Sequence, residues 1–530
     1  METTKKLGFE DRFYLSKFFK ELALNLEQLD EPKLYILDLP AGYGKSTATT
    51  VLARLAIEGN PYFSRVIHVL PMRSIIDDLY MRVRKCVENV LGASATKKVA
   101  AQYMLTPGSP LFFKRCIVTT LDSFILNFFK LPAYELAKAF DRNVAHFEHP
   151  RAMIYTSIVV LDEFHLLSGL GSVSEEMKSI TAVLAAIISM LKAGVSVVVM
   201  TATLPKPILD LIENKLSQYN FSVEKIVYTP GEDRCFDEKI NRKQRIIHRL
   251  NALSDLDLLK FRGLRVALIF NTVDKAVECY RRLKQEDSIR EDLILAHGRL
   301  PESRRSFLTD IRSRSSYFVV ATQVIEAGVD VNFDVMITEC CPADRLVQRA
   351  GRVARNKDQG EIWVLKLDDN HPYDKELVDT TWNYLREGDN LTYIKSKELI
   401  ERVFSSVGTL RVSQKMFDAL KNIDSRPIFG LIDAKNAYLY FQGFTNSAGI
   451  ISGYKEDFYN PKEAVPLSEK EVLKLSTSGK LKVLKNIKSG ETDYMPIYMM
   501  KPSVALYLLR EGYRGVVIDA NTYDSLIGLN

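Results

Sequence analysis

Short, unbroken runs of apolar and largely β-branched residues recur along the first two thirds of the chain, each followed by a turn and a stretch with helical spacing. The first series is Leu34 to Leu39, Val66 to Leu70, Cys116 to Thr119, Ile158 to Leu161 and Val195 to Met200. The second is Val266 to Phe270, Leu293 to Ala296, Tyr317 to Ala321, Val335 to Thr338 and Ile362 to Leu365. A strand that is apolar at every position must be buried on both faces, and a helix after each strand is the crossover that parallel pairing requires. The pattern therefore predicts an α/β fold with two tandem parallel sheets.

The series divide the chain into a first unit over residues 1–215 and a second over 216–368. A charged helical linker over 369–440 and a smaller Tyr- and Lys-rich α+β accessory domain over 441–530 complete the expected organisation. With 46% hydrophobic and 26% charged residues, neither a disordered nor a membrane-embedded chain is expected. The apolar window Ile180 to Met200 is broken by Lys192 and Gly194 into a helix, a turn and a strand. Six cysteines without a C-x-x-C pair, and an amino terminus without an export signal, lead us to expect a reducing cytoplasm and no membrane. A net charge of +6 is compatible with a polyanionic partner but does not require one.

Chemistry concentrates at three places. The first strand runs into Pro40-Ala41-Gly42-Tyr43-Gly44-Lys45-Ser46-Thr47 and then a helix. A Gly-containing turn between strand and helix presents backbone N–H groups to a phosphate, with Lys45 for the terminal phosphates and Ser46 for Mg²⁺. Leu39 stands where such a loop usually begins with Gly, so a plain surface turn is the competing reading. Second, Asp162-Glu163-Phe164-His165 follows a buried strand, and its carboxylates emerge at the sheet edge where the loop also opens. Asp162 would hold the metal and Glu163 would polarise an attacking water; a helix cap with first-turn acid is the alternative. Third, Gln348, Arg352 and Arg355 lie in the second unit within Asp344 to Arg355. The arginines' spacing lets both guanidinium forks meet one phosphate from across a cleft, unless they form a solvated helix face.

Taken in order, the Gly42-to-Ser46 loop, Pro71-Met72-Arg73, Thr119-Thr120-Leu121-Asp122, Asp162 to His165, Thr201-Ala202-Thr203, Ala321 to Asp330 and Gln348 to Arg355 resemble the motif set of superfamily-two D-E-x-H helicases. Within that group the chain is most similar to the signature helicase of type I CRISPR interference, a resemblance that includes the ending Tyr523 to Leu529. It implies two RecA-like domains and an ATP- and Mg²⁺-dependent DNA helicase and single-stranded DNA translocase moving 3′ to 5′ in antiviral defence. Ala41 to Thr47, Gly328 and Asp330 would bind nucleotide. Arg73, Thr119 and Thr120 of the first unit and Thr272, Arg299 and Thr322 of the second would hold strand phosphates, and Thr201 and Thr203 would couple hydrolysis to movement. The seven histidines include no His-Asp dyad of the family's nuclease domain, so a helicase-only form is expected, with a separate HD nuclease and a CRISPR RNA-guided surveillance complex as partners. No adenine-reading Gln motif precedes the loop. An RNA or repair helicase, or a nucleotide-dependent clamp that binds without unwinding, remain the alternatives.

Overall fold

The computed structural model describes residues 12–28, 31–71, 76–103, 106–135, 138–139, 144–164, 178–287, 289–305, 311, 314–326, 331–355, 357–367, 369–408, 410–425, 451–500, 503–519, 521–524 and 528–529. The first sheet contains β1 (Leu34–Asp38), β2 (Arg65–Leu70), β3 (Val99–Tyr103), β4 (Thr106–Pro107), β5 (Cys116–Thr120), β6 (Ser157–Leu161), β7 (Val197–Thr201) and β8 (Val223–Val227). Their spatial order is β4-β3-β5-β2-β6-β7-β1-β8, and every pairing is parallel except that of β3 with β4. The second sheet is wholly parallel: β9 (Gln244–Leu250), β10 (Arg265–Ile269), β11 (Leu293–Ala296), β12 (Tyr317–Ala321), β13 (Val335–Glu339) and β14 (Gln359–Leu365), ordered β11-β12-β10-β13-β14-β9.

Strands β1, β2, β5, β6 and β7 are buried along their whole length, because helices cover both faces of the sheet. β1 leads into the Gly-containing loop and β6 into the acidic pair, both at the carboxyl edge where parallel sheets with crossover helices generally bind ligands. Two expected boundaries are corrected. Strand β8 pairs with β1, so the first unit does not end at residue 215. Glu224 and Lys225 disguised it, since an edge strand has no second neighbour and tolerates charge.

The described part of the expected linker, up to residue 425, packs into the core and does not merely connect two domains. The helices Lys375–Tyr384, Tyr393–Phe404 and Gln414–Ser425 send Leu399, Val403, Phe417 and Leu420 into the main core, each fully buried. Ser189 Oγ donates to Asp424 Oδ2 at 2.7 Å, Arg151 pairs with the same carboxylate, and Lys397 forms an ion pair with Asp38 at the end of β1. These helices thus tie the end of the second unit back onto the first. A third, mixed sheet follows: β15 (Ile451–Lys455), β16 (Val465–Leu467), β17 (Lys480–Asn486), β18 (Glu491–Pro496) and β19 (Gly515–Ile518), ordered β16-β15-β19-β17-β18 with its own small core. Among the described residues no helix is long and apolar enough to cross a membrane.

Candidate functional site

The Gly-containing loop leaves β1 and enters the helix Lys45–Glu58 through Gly42 and Gly44, whose φ angles of +82° and +98° lie in the left-handed region. Only glycine adopts that conformation without strain, so these positions set the loop's curvature. Tyr43 between them points inward and is fully buried. Its hydroxyl donates to Asp233 Oδ2 at 2.6 Å and accepts from the N–H of Tyr14 at 3.0 Å, and its ring packs edge-on against Phe236. The Tyr43 side chain thus anchors the loop from behind, and its expected part in nucleotide binding is left to the loop backbone. Lys45 turns back over the loop and donates to the carbonyls of Leu39 at 2.7 Å and Pro40 at 3.3 Å.

Asp162 follows β6, and its carboxylate is held on both oxygens. Oδ1 accepts from the N–H of Glu163 at 2.8 Å, and Oδ2 lies 3.3 Å from His68 Nε2 on β2. Burial favours the protonated acid, but His68, Lys45 and the Glu163 N–H outweigh it and hold the Asp162 pKa below its ordinary value. Glu163 goes the other way: burial, reinforced by the Asp162 charge, raises its pKa despite Lys45, Arg352 and Arg355. Adjacent carboxylates pushed apart in this way suit different tasks, a fixed anion beside a group able to take up a proton. Glu163 also has φ +51°, a left-handed conformation uncommon for a residue with a side chain.

The second unit meets this edge with the helix Ala343–Ala350 and the turn after it. Gln348 Nε2 donates to Thr203 Oγ1 at 3.1 Å across the cleft, and the N–H of Thr203 donates to Thr201 Oγ1 at 3.2 Å. Thr203 thus meets Gln348 of the second unit. A Cβ placed on Gly351 would stand 3.7 Å from the Cβ of Ala41, so the turn faces the loop directly. Burial lowers the Lys45 pKa against the pull of Glu163, Asp162 and Asp38, and the Arg352 charge adds to the lowering. Arg352 donates to the carbonyl of Glu326 at 2.8 Å, and the Arg355 N–H donates to Asn332 Oδ1 at 2.6 Å. Lys45, Asp162, Glu163, Gln348, Arg352 and Arg355 are therefore gathered in one place.

The proposed strand contacts fare differently. Thr119 is fully buried and donates to the Gln102 carbonyl at 2.6 Å, Thr120 caps the next helix by accepting from the Ser123 N–H, and Thr322 is 2% exposed. A hydroxyl at the end of a covered strand takes an internal partner because none is available from water, as Thr119 and Thr120 do, and burial keeps the Thr322 side chain from the surface as well. Thr272 caps its own helix, accepting from the Lys275 N–H. Arg299 reaches the surface, paired with Asp274 at 3.4 Å and with Glu471 of the third domain at 2.9 Å. Arg73, Gly328 and Asp330 lie outside the described residues.

Two groups of residues at the site escaped the sequence reading. His68 and Thr49 back Asp162, and the only signal was a lone histidine inside an apolar strand run. Arg349 is fully buried and donates to Glu326 at 2.8 Å, Thr338 at 2.8 Å and Asn271 at 3.0 Å. Its position between Gln348 and Arg352 gave no hint that it belongs to the interior.

Comparison with known proteins gives two family matches in chain order. A DEAD/DEAH box helicase family matches residues 23–211, and the C-terminal part of the CRISPR-associated nuclease/helicase Cas3 family matches residues 262–358. The CRISPR-associated nuclease/helicase Cas3 of Methanothermobacter thermautotrophicus is 26% identical over 423 residues, 71% of this chain and 46% of that protein. The CRISPR-associated helicase Cas3 of Thermoproteus tenax is 23% identical over 353 residues, 65% of this chain and 58% of that protein. The chain thus spans about half the length of the curated relatives it matches. In fold it resembles the crystal structure of T. fusca Cas3-AMPPNP, with a TM-score of 0.63 at 16% identity, covering 100% of this chain and 72% of that one. Sheet topology and relatives agree in what the chain resembles: DEAD/DEAH box helicases over residues 23–211 and the C-terminal part of Cas3 over residues 262–358, on a fold shared with Cas3.

Proposed function

We propose that the chain is an ATP-dependent single-stranded DNA translocase and DNA helicase, moving 3′ to 5′, that serves type I CRISPR interference beside a separate HD nuclease. The observation that carries this reading is the meeting of opposite charges across the cleft, where Arg352 and Arg355 of the second unit act on Glu163 of the first. A nucleotide placed there would touch both units, and its hydrolysis would change how strongly they hold together.

In this mechanism the loop N–H groups and Lys45, released from the Leu39 and Pro40 carbonyls, hold the terminal phosphates. Ser46 and Asp162 are hard oxygen donors, and an ionised Asp162 suits Mg²⁺, which binds through one or two protein oxygens and the substrate phosphates. When bound, the cation would neutralise charge on those phosphates. Glu163 orients the attacking water and takes its proton, and Arg352 and Arg355 stabilise charge on the transferred phosphoryl group. Gln348 and Thr203 report the state of the cleft from one unit to the other. Thr201, which accepts from the Thr203 N–H, extends that link to the end of β7. Gly328 and Asp330 complete the proposed nucleotide contacts. Arg299 is the strand contact best supported by its exposure, and DNA would displace its two carboxylate partners.

ATP hydrolysis by the full chain should rise on addition of single-stranded DNA more than RNA, and a duplex with a 3′ overhang should be unwound. Stimulation by RNA alone would point to the RNA-helicase reading. Hydrolysis without strand displacement would point to the clamp.

A further inference from the structure

Histidine is an unusual occupant of a strand buried on both sides, and His68 is completely buried in the middle of the first sheet. Its ring bridges two elements of the proposed nucleotide site. Nδ1 lies 2.6 Å from the hydroxyl of Thr49, one turn into the helix that begins at Lys45, and Nε2 lies 3.3 Å from Asp162 Oδ2. The chemistry of the two contacts assigns a role to each ring nitrogen. A carboxylate only accepts, so Nε2 carries the N–H toward Asp162. In the neutral ring Nδ1 is then an acceptor, and the Thr49 hydroxyl donates to it.

We propose that His68 is a positioning residue: held in one orientation by Thr49, it aims Asp162 Oδ2, while the Glu163 N–H holds Oδ1. The proposal rests on the reading of Asp162 as the carboxylate that faces Mg²⁺-nucleotide. Because Thr49 and Lys45 share a helix, the relay also sets the acidic pair at a fixed distance from the phosphate-binding loop. A histidine that merely filled space would need neither contact, and Phe or Leu would serve the sheet equally well.

The test uses the full chain and a non-hydrolysable ATP analogue, whose binding is followed as Mg²⁺ is titrated in, together with affinity in the absence of metal and thermal unfolding. His68→Phe keeps the ring and removes both polar atoms. It should raise the Mg²⁺ concentration for half-maximal effect on the order of 10- to 100-fold, as loss of an outer partner of a metal-facing carboxylate does, and leave the metal-free affinity unchanged. His68→Gln, whose amide N–H reaches the same carboxylate, should restore most of the loss. Thr49→Val, which leaves the ring in place but unaimed, should shift the midpoint less and in the same direction. An unchanged midpoint in His68→Phe overturns the proposal, as do equal shifts in His68→Phe and His68→Gln that follow lost thermal stability. Should His68→Phe fail to fold, an unchanged Thr49→Val midpoint overturns it. If wild type binds the analogue without regard to Mg²⁺, the nucleotide reading itself falls, whereas normal wild-type behaviour with indifferent variants removes only the role of His68.

Discussion

The two walls of the cleft are built on opposite principles. On the first unit, the groups that would meet substrate lean on one another: Lys45 rests on backbone carbonyls, and Asp162 and Glu163 are driven to different proton affinities within one buried pair. On the second, a closed polar network supports the wall from within. Arg349 and Arg345 both grip Glu326, Asn271 holds Arg349, and Lys275 pairs with Glu339, all beneath the turn that carries Arg352 and Arg355. The first wall is arranged for charge to be redistributed, the second to keep two guanidiniums in place. Four arginines close in sequence thus divide into two that hold and two that face the cleft, which spacing alone does not distinguish.

That contrast can be broken from either side. The largest effect belongs to the facing pair: Arg352→Ala or Arg355→Ala should cut DNA-stimulated ATP turnover by roughly 10³- to 10⁵-fold while thermal unfolding hardly changes. Arg349→Ala should do the reverse. It leaves Glu326 short of a partner in the interior and should destabilise the fold by about 3–5 kcal/mol, read by denaturant titration, with turnover lost only through unfolding.

Glu163→Gln sharpens the comparison on the other wall. A carboxylate with a raised folded-state pKa costs stability once it ionises, and that cost disappears as pH falls through the raised value. At neutral pH the amide should therefore abolish turnover yet unfold at a higher temperature than wild type. The acid limb of the wild-type rate profile should lie above the ordinary glutamate pKa of 4.5, because the base works only when ionised. The smallest effect is expected of Gln348→Ala, which removes one cross-cleft hydrogen bond worth about 1 kcal/mol and should weaken nucleotide binding a few-fold in equilibrium titrations.

Much of this architecture was legible because the central strands are buried on both faces and so read as uninterrupted apolar runs. The strands that escaped show the limit of that signal. β3 is rich in small Ala residues, and β8 and β9 are edge strands whose exposed faces carry Glu224, Lys225, Gln244 and Arg249. The Gly-containing loop, the acidic pair and the cleft arginines were visible as local patterns at strand ends and helix starts. The inward turn of Tyr43 and Arg349 was not legible for a common reason: whether a side chain within a motif is buried depends on distant residues such as Asp233 and Glu326, which no local spacing reveals. The buried threonines Thr119 and Thr322 teach the same lesson for the expected strand contacts.

The ion pair between Lys397 and Asp38 has a consequence for how the molecule can be divided. Asp38 is the last residue of the strand that delivers the phosphate loop and is 7% exposed, yet its cationic neighbour arrives from a helix encoded more than 350 positions later. A truncated protein ending after β14 would retain the motifs from the Gly-containing loop to Arg355 and still leave this carboxylate without the Lys397 ammonium. The smallest fragment that keeps this ion pair therefore extends through the helix Tyr393–Phe404, so the first sheet acquires its full set of charges only after the whole second sheet has been made.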